Sequence, residues 1–343
     1  MLKHLIKLAR PTQWSKSGFV LIGPLYALAD RNIPGAAGIT GALWAALAFA
    51  LVASSCYAFN DVRDAEQDRA HPRKRRRPVA SGAVPPRVAV LWGALLVAAG
   101  FACLLGVQPA FRLWTGGTLA AYLLTTAAYS LWLKQRVIAD VIGLAMGFVL
   151  RVLGGCAAVG IGPTTWLLTV TFFLSMFLAF GKRLGERRTM GDAAGSARRV
   201  QDAYSDDTLR LAVMATGVVT LVTYAFYIIS QDAKFTFHVA PGMLAIAQGG
   251  GELPPGFGFN LMWLTLLPVT YALLRCVVLL EQGRFDDPTE LATGDRPFQI
   301  AAAVFVLLAG ALMYAHASGA LGDRPKGKYP VARGATEKPG WPG

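Results

Sequence analysis

Apolar windows of about 20 residues alternate with short polar segments along almost the whole chain, and a helix needs about this length to cross a bilayer. The pattern predicts an all-α integral membrane protein with about nine transmembrane helices. The predicted spans cover residues 14–30, 38–59, 88–107, 112–133, 137–161, 164–181, 210–230, 258–282 and 298–318. The first span is the weakest, because Ser15, Lys16, Ser17 and Gly18 dilute its hydrophobicity.

The composition supports this interpretation, since 54% of the 343 residues are hydrophobic and only 15% are charged. Residues 1–320 are predicted to form a single transmembrane domain. Residues 321–343 are rich in Pro, Gly and Lys and lack apolar periodicity, which predicts a disordered C-terminal tail. The N-terminal residues lack an apolar core followed by a small-residue cleavage site, so the first span is expected to stay in the mature protein.

Lysine and arginine are concentrated on one side of the predicted helices. The outer loops hold only Arg31, Arg112 and Lys234, whereas the segments 60–87 and 182–210 carry basic runs. Cytoplasmic loops carry this excess in membrane proteins, which predicts a multi-pass protein of the inner (cytoplasmic) membrane with its N-terminus in the cytoplasm. Orientation and anionic headgroups account for the net charge of +13, so membrane lipids are expected partners and nucleic acid is not.

Four polar residues follow the second span, namely Asn60, Asp61, Asp64 and Asp68. If the helix continues past the span, the three aspartates fall within an arc of roughly 60°. Carboxylates stacked in this way repel one another, and a divalent cation would relieve the repulsion. Mg²⁺ typically uses one or two carboxylates and completes its shell with water and substrate phosphates. These four residues are therefore predicted to bind Mg²⁺, with a solvated charged face as the alternative.

A basic run bracketed by Pro72 and Pro78 comes directly after the aspartates. Guanidinium groups match phosphate oxygens in bidentate pairs. Beside a metal site, the run is therefore predicted to bind phosphates and to form an extended loop that folds back over a cavity. A plain positive-inside anchor is the alternative. The candidate ligands are Lys74, Arg75 and Arg77, joined by Tyr129 and Lys134 at the inner end of the fourth span.

A second charged group begins where the sixth span ends, with Lys182, Arg183 and Glu186. It is interpreted as a second phosphate site, and a helix-end anchor with an ordinary ion pair is the alternative. Arg151 lies inside the fifth span, where a charge is costly, so it is expected to face a cavity or to snorkel.

Polar residues recur at every third position near the N-terminus, at Arg10, Gln13 and Lys16. This spacing puts them along one side of an amphipathic helix. An interfacial anchor is one interpretation of that helix. A contribution of Lys16 to the phosphate sites is the other.

The block NDVRDAEQDRAHPRKRRRPVASG (residues 60–82) resembles the Asn-Asp-x-x-Asp-x-x-x-Asp signature of the UbiA superfamily of intramembrane prenyltransferases. Further motifs, in the right order, resemble its decaprenyl-phosphate phosphoribosyltransferase branch: RPTQWSK, YSLWLK, the 140–155 stretch, GKRLGE and LLRCVVLLEQGRFDDPTE. The resemblance covers most of residues 8–300 and implies a bundle whose cavity opens at the cytoplasmic face. GKRLGE is basic where the superfamily's prenyltransferases carry a second acidic motif, which favours two phosphorylated substrates.

The resemblance implies transfer of a 5-phosphoribosyl group from 5-phosphoribosyl 1-diphosphate to a long-chain polyprenyl phosphate, with release of diphosphate. The product would be a step toward a lipid-linked pentose donor for cell-envelope glycan synthesis. Asp61, Asp64, Asp68 and Lys182 are the implied catalytic residues. The implied substrate ligands are Lys16, Asn60, Lys74, Arg75, Arg77, Tyr129, Lys134, Arg151, Arg183 and Glu186. The sequence does not divide the basic residues between donor and acceptor phosphates.

Two other functions stay open at this point. A UbiA-type prenyltransferase would move an isoprenoid chain to an aromatic or glycerol-phosphate acceptor. A transporter or lipid-binding protein would also place charge in the membrane, but near its middle and in broken helices, whereas here the charges crowd one face. The polyprenyl chain length and any assembly into a homo-oligomer also stay open.

Overall fold

The computed structural model describes residues 1–29, 35–70, 74–190, 204–238, 258–284 and 294–321. The α-helices are α1 (Leu2–Ala9), α2 (Ile22–Ala29), α3 (Gly35–Arg63), α4 (Ala65–Ala70), α5 (Pro86–Ala102), α6 (Pro109–Leu131), α7 (Ala139–Val159), α8 (Thr165–Met190), α9 (Asp206–Ser230), α10 (Asp232–Phe235), α11 (Leu266–Glu281) and α12 (Arg296–Ala317). Shorter 3₁₀ helices cover Pro11–Leu21, Lys74–Arg76, Cys103–Gly106, Leu133–Gln135 and Leu261–Thr265. One antiparallel pair joins β1 (Thr236–His238) to β2 (Gly258–Asn260).

Seven helical segments in the described part of the chain are long and apolar enough to cross a membrane. They match seven of the predicted spans, with ends shifted by a few residues. The other two predicted spans are helical as well: 14–30 falls on the first 3₁₀ helix and α2, and 112–133 falls on α6. These two segments are not among the seven that are long and apolar enough to cross a membrane. Helix α6 mixes several threonines with its apolar residues. The all-α multi-pass fold is confirmed, while the count of nine stays a prediction.

The first predicted span begins as a 3₁₀ helix, Pro11–Leu21, before it continues as α2. A 3₁₀ helix has three residues per turn, so Gln13 and Lys16 lie on one side, as their spacing predicts. Runs of this length are uncommon. This one packs against α3 and α7, and Trp14 Nε1 donates to Ser54 Oγ of α3 at 3.0 Å. The segment is therefore built into the bundle instead of lying on its surface as an anchor.

Two apolar clusters hold the bundle together, and α7 contributes to both. One joins the first 3₁₀ helix, α3, α6 and α7 and includes Phe49 and Leu150. The other joins α7, α8, α9 and α11 and includes Phe177 and Leu279. Because α7 has neighbours on both sides, residues along most of its length are buried.

A further cluster packs the segment after the basic run against α1, α3, α4 and α5. Val79 and Val84 are buried beside Leu8 of α1 and Ala58 of α3. The N–H of Val84 donates to the carbonyl oxygen of Pro78 at 2.9 Å. The segment therefore folds back over the helix ends, but as compact turns and a short 3₁₀ helix instead of the predicted extended loop.

The predicted tail lies outside the described residues except for Leu321. This leucine is buried in a cluster with Tyr224, Ile228 and Leu312. The packed core thus reaches one residue beyond the predicted domain end at 320.

The first 3₁₀ helix approaches α7 closely at Gly155, where a Cβ atom would lie 1.7 Å from the carbonyl oxygen of Val20. Gly155→Ala is expected to lower the free energy of unfolding by about 1–3 kcal/mol, because the 3₁₀ backbone must shift. Gly117→Ala in α6 is the matched control, since a Cβ there meets no atom within 4 Å. Unfolding of both variants in detergent measures the difference, and equal stabilities would contradict the close approach.

Candidate active site

Helix α3 carries the predicted metal ligands out of the bundle. It ends at Arg63, Asp64 forms a turn, and α4 resumes directly afterwards. The N–H of Asp64 donates to the carbonyl oxygen of Asn60, and the N–H of Asp68 to that of Asp64, both at 2.8 Å. These bonds keep the i to i−4 pattern of an α-helix. The segment therefore follows the predicted helical path, with a local break at Asp64.

Asp61 and Asp68 share an arginine. Asp61 is 1% exposed, and its Oδ1 accepts a hydrogen bond from Arg10 Nη2 at 2.6 Å. Arg77 Nη1 lies 3.6 Å from the same oxygen and donates to Asp68 Oδ2 at 2.7 Å. Burial makes an unpaired carboxylate costly, so each of these charges depends on its guanidinium partner.

Asp64 has a different partner. Lys134 Nζ lies 2.8 and 3.0 Å from its two carboxylate oxygens. The neighbouring Arg63 donates to the carbonyl oxygens of Ser130 and Leu131 at the end of α6. Basic side chains commonly cap helix C-termini in this way. This contact brings the Lys134 segment up to α3, where Lys134 meets Asp64. Its predicted role as a phosphate ligand stays a prediction.

A cavity of about 290 Å³ opens beside Asp61. It is lined by Lys7, Arg10, Asp61, Arg76, Arg77 and Pro78. Four cations against one carboxylate make the lining positive, which suits a polyanion such as a diphosphate. Among the predicted ligands from the basic run, Arg77 lines the cavity, whereas Lys74 and Arg75 lie in the adjacent 3₁₀ helix outside this lining.

Sequence reasoning misses three cations of the cavity, namely Lys7, Arg10 and Arg76. Arg76 belongs to the basic run but is not among the candidate ligands predicted from it. The amphipathic segment at Arg10 suggested an anchor. Lys7 donates to the carbonyl oxygen of Arg76 at 3.4 Å and Arg10 to Asp61, so both contacts reach far along the chain. Arg10 links α1 to the first 3₁₀ helix in the left-handed conformation, with φ 49° and ψ 61°, which is uncommon for a residue other than glycine. Its guanidinium lies 4.9 Å from the centre of the Tyr57 ring. The available signal was the RPTQWSK motif, which begins at Arg10.

The residues at this site fit a divalent cation. Asp61 Oδ2 is buried and has no hydrogen-bond partner in the part of the chain that the structure describes, so its lone pairs are available. Mg²⁺ needs only one or two protein carboxylates when phosphates and water complete its shell. Asp61 and Asp68 can supply them, with Asn60 nearby in sequence. The described ranges contain no group of three or more His, Cys, Asp or Glu residues arranged for a metal. Asp64 pairs with Lys134 here, and its predicted contact with Mg²⁺ stays a prediction.

The second predicted phosphate site contains a buried ion pair. Arg183 is 2% exposed, and its Nη2 donates to Asp140 Oδ2 of α7 at 2.6 Å. Tyr204 Oη donates to the other carboxylate oxygen at 3.2 Å. Burial raises the pKa of the Tyr204 phenol, which keeps the hydroxyl protonated. Glu186 Oε2 lies 3.8 Å from Arg183 Nη1, further than the Asp140 carboxylate. Arg183 thus points to Asp140 and does not line the cavity beside Asp61, and its predicted contact with substrate stays a prediction.

Three other predicted ligands also lie outside the lining of that cavity. Lys16 in the first 3₁₀ helix, Tyr129 in α6 and Lys182 in α8 are each half-buried. A Cβ atom at Gly143 of α7 would lie 3.3 Å from Tyr129 Cδ2, so this tyrosine packs against α7. The predicted roles of these three residues stay predictions.

Arg151 neither snorkels nor lines the cavity beside Asp61. It is 5% exposed in α7, where Nη2 donates to Tyr122 Oη at 2.7 Å and Nη1 to the carbonyl oxygen of Gly147 at 3.1 Å. Its guanidinium also lies over the rings of Tyr122 and Phe148, 4.6 and 5.2 Å from their centres. Aromatic faces attract a cation strongly when water is excluded. Its predicted substrate contact stays a prediction.

The sequence matches the UbiA prenyltransferase family over residues 18–293, and the chain belongs to that family. It is 31% identical over 315 residues to the decaprenyl-phosphate phosphoribosyltransferase of Mycolicibacterium smegmatis, covering 92% of this chain and 93% of that protein. The protein of the same name in Corynebacterium glutamicum is 29% identical over 306 residues, covering 88% and 84%.

Solved structures confirm the fold. A UbiA homolog from Archaeoglobus fulgidus bound to GPP and Mg²⁺ superimposes with a TM-score of 0.62 at 17% identity, covering 91% of this chain and 99% of that one. A structure of a UbiA homolog from the same organism was determined with Cd²⁺ and gives a TM-score of 0.59. Divalent metals thus occur in proteins of this fold.

Asp140→Asn would leave Arg183 as a buried charge whose remaining carboxylate neighbour, Glu186, lies 3.8 Å away. The expected loss is about 3–5 kcal/mol of unfolding free energy, the usual effect of breaking a buried pair. Asp207→Asn is the control, because Asp207 is 94% exposed and lies 3.8 Å from Arg210, so its loss should change stability by less than about 0.5 kcal/mol. Thermal unfolding in detergent compares the two, and similar losses in both would refute a special role for the buried pair.

Proposed function

We propose that this protein transfers the 5-phosphoribosyl group of 5-phosphoribosyl 1-diphosphate to a decaprenyl-type polyprenyl phosphate and releases diphosphate. The observation that carries the proposal is the cavity beside Asp61, where Lys7, Arg10, Arg76 and Arg77 converge. This cation-rich site lies in a chain that is similar over most of its length to proteins named decaprenyl-phosphate phosphoribosyltransferase.

The reaction needs neutralisation of charge more than it needs a general base. A phosphate oxygen of the lipid is already nucleophilic at neutral pH, so it attacks C1 of the ribose while the bond from C1 to the diphosphate breaks. The configuration at C1 inverts, and the bonding electrons leave with the diphosphate. The site must therefore stabilise negative charge on the leaving group and positive charge on the ribose, which positioned cations achieve.

The charged residues supply that stabilisation in two ways. Arg10 and Arg77 bond carboxylates here, and the oxygens of a bound diphosphate would give the same guanidiniums new acceptors. Asp61 and Asp68, with Asn60, would hold Mg²⁺. When bound, Mg²⁺ supplies Lewis-acid charge to the diphosphate.

Lys134 and Asp64 do not line the cavity beside Asp61, and in this proposal they act next to it. Lys134 would add a cation to the donor phosphates, and Asp64 would keep it oriented. The other predicted ligands remain candidates for the acceptor phosphate or the ribose 5-phosphate: Lys16, Lys74, Arg75, Tyr129, Arg151, Lys182, Arg183 and Glu186.

We place the cavity at the cytoplasmic face of the inner membrane. It lies at the end of α3 that leads into the basic segment 60–87, and the positive-inside rule assigns such segments to the cytoplasm. A water-soluble donor and a membrane-bound acceptor would meet there, with the polyprenyl chain in an apolar groove open to lipid. The product would lead to a lipid-linked pentose donor for cell-envelope glycan synthesis.

The direct test is a three-component assay. Purified protein, labelled 5-phosphoribosyl 1-diphosphate, polyprenyl phosphate and Mg²⁺ are expected to yield a labelled lipid and an equal amount of diphosphate. Chelation of Mg²⁺ is expected to abolish the product, because the diphosphate would leave without its main counter-charge. Consumption of a prenyl diphosphate with no ribosylated lipid would overturn the proposal in favour of prenyl transfer.

Asp64→Asn is expected to lower turnover by about 100-fold, since it removes the charge that orients Lys134 at the reaction site. The protein should remain folded, because Asp64 is only part-buried. Glu66→Gln is the matched control: Glu66 lies two residues further on, exposed on α4. Steady-state turnover and a thermal unfolding curve are measured for both variants. Wild-type turnover in Asp64→Asn would count against the site.

A further inference from the structure

Ile138, the residue before α7, has a backbone conformation that β-branched residues avoid. Its φ is 67° and its ψ is −46°, and the N–H of Ala139 donates to the carbonyl oxygen of Val137 at 2.7 Å. A three-residue loop closed by this bond around a positive φ is the rare, strained form of the γ-turn. A β-branched residue at its centre adds to the strain. Such a turn persists only where its surroundings hold it.

A buried tyrosine holds this turn. The N–H of Ile138 donates to Tyr204 Oη at 2.6 Å. Tyr204 Oη donates in turn to Asp140 Oδ1 at 3.2 Å, and Arg183 fixes the second oxygen of Asp140. The Tyr204 ring is 2% exposed and packs edge-on against Phe180. Its hydroxyl therefore accepts one hydrogen bond and donates another, both to groups at the start of α7.

We call these two hydrogen bonds of Tyr204 Oη, to Ile138 and to Asp140, the Tyr204 clasp. The γ-turn lies between the Tyr204 clasp and the aspartate site. The 3₁₀ helix Leu133–Gln135 carries Lys134 and is separated from α7 only by Arg136, Val137 and Ile138. Lys134 Nζ is 2.8 Å from Asp64 Oδ1. Because the chain is short here, the direction of the γ-turn sets how far Lys134 reaches toward α3.

We propose that Tyr204 is a positioning residue, whose hydroxyl holds the strained γ-turn at Ile138 and thereby sets Lys134 against Asp64 for donor binding. It contacts no reacting atom and acts through Lys134. The clasp rests on the geometry alone, whereas the identity of the donor rests on the proposed function. A phenol suits this role because one oxygen both accepts from an N–H and donates to a carboxylate.

Tyr204→Phe removes the hydroxyl and keeps the ring. The KM for 5-phosphoribosyl 1-diphosphate is expected to rise about fivefold, the effect of one lost hydrogen bond, while kcat changes less than about twofold. Tyr224→Phe is the matched control, because it removes another buried hydroxyl, which bonds Thr265 Oγ1 at 2.7 Å in a different cluster. An unchanged KM in Tyr204→Phe, or an equal rise in Tyr224→Phe, would overturn the proposal.

Ile138→Gly tests whether the hydroxyl acts through the turn. Glycine adopts a positive φ without strain. The Ile138 side chain is 52% exposed, so its loss removes little buried surface. The double variant Tyr204→Phe/Ile138→Gly is expected to regain most of the donor affinity that Tyr204→Phe loses. If Tyr204 served only to pack the core, the glycine would not restore affinity, and that result would overturn the proposal.

Amide hydrogen exchange tests the Tyr204 clasp independently of the proposed reaction. In Tyr204→Phe, amide exchange of the full-length protein in detergent is expected to rise in peptides covering residues 133–140, and Tyr224→Phe is expected to leave them unchanged. No substrate is needed for this measurement. If exchange rises but the wild type forms no ribosylated lipid, the proposed function fails and the clasp stands. Unchanged exchange would overturn the clasp itself.

Discussion

Two buried carboxylates, Asp61 and Asp140, are each paired with an arginine from a distant part of the chain. Arg10 pairs with Asp61, and Arg183 pairs with Asp140. A buried charge without such a partner costs several kcal/mol, so the segments that carry the partners must come together when the protein folds. The first pair ties the N-terminal segment to α3, and the second ties α8 to α7. Charge pairing thus organises the face of the bundle where the cavity lies.

The same pairing shapes what the site can bind. Cations that neutralise carboxylates are also the groups that neutralise phosphates, and here they are already ordered before substrate arrives. On α8, the Arg183 guanidinium donates to Asp140 of α7, just as Arg10 donates to Asp61 of α3, so the basic motif also holds two helices together. The motif therefore stabilises the packing of α8 on α7, in addition to the substrate contact proposed for Lys182. A basic sequence motif at a helix end is not in itself a phosphate site.

Hydropathy locates the helices of this protein because a membrane span needs a long apolar window. It does not distinguish a 3₁₀ helix from an α-helix, so the nature of the first predicted span was visible only in the structure. Helical period likewise indicates the face on which Asp61 and Asp64 lie, but not which segment meets that face. The partners of these two residues lie 51 and 70 positions away along the chain. Neither periodicity nor local spacing carries that information.

The N-terminal segment shows why the remaining part of the site escaped prediction. A helix with apolar and basic faces looks the same in sequence whether its charges meet lipid headgroups or a cavity. Leu8 of α1 is completely buried, and Lys7 beside it lines the cavity. The left-handed backbone of Arg10 then turns the chain into the first 3₁₀ helix and aims a guanidinium at Asp61. A single backbone conformation, which the sequence pattern does not specify, therefore makes this amphipathic segment a wall of the site.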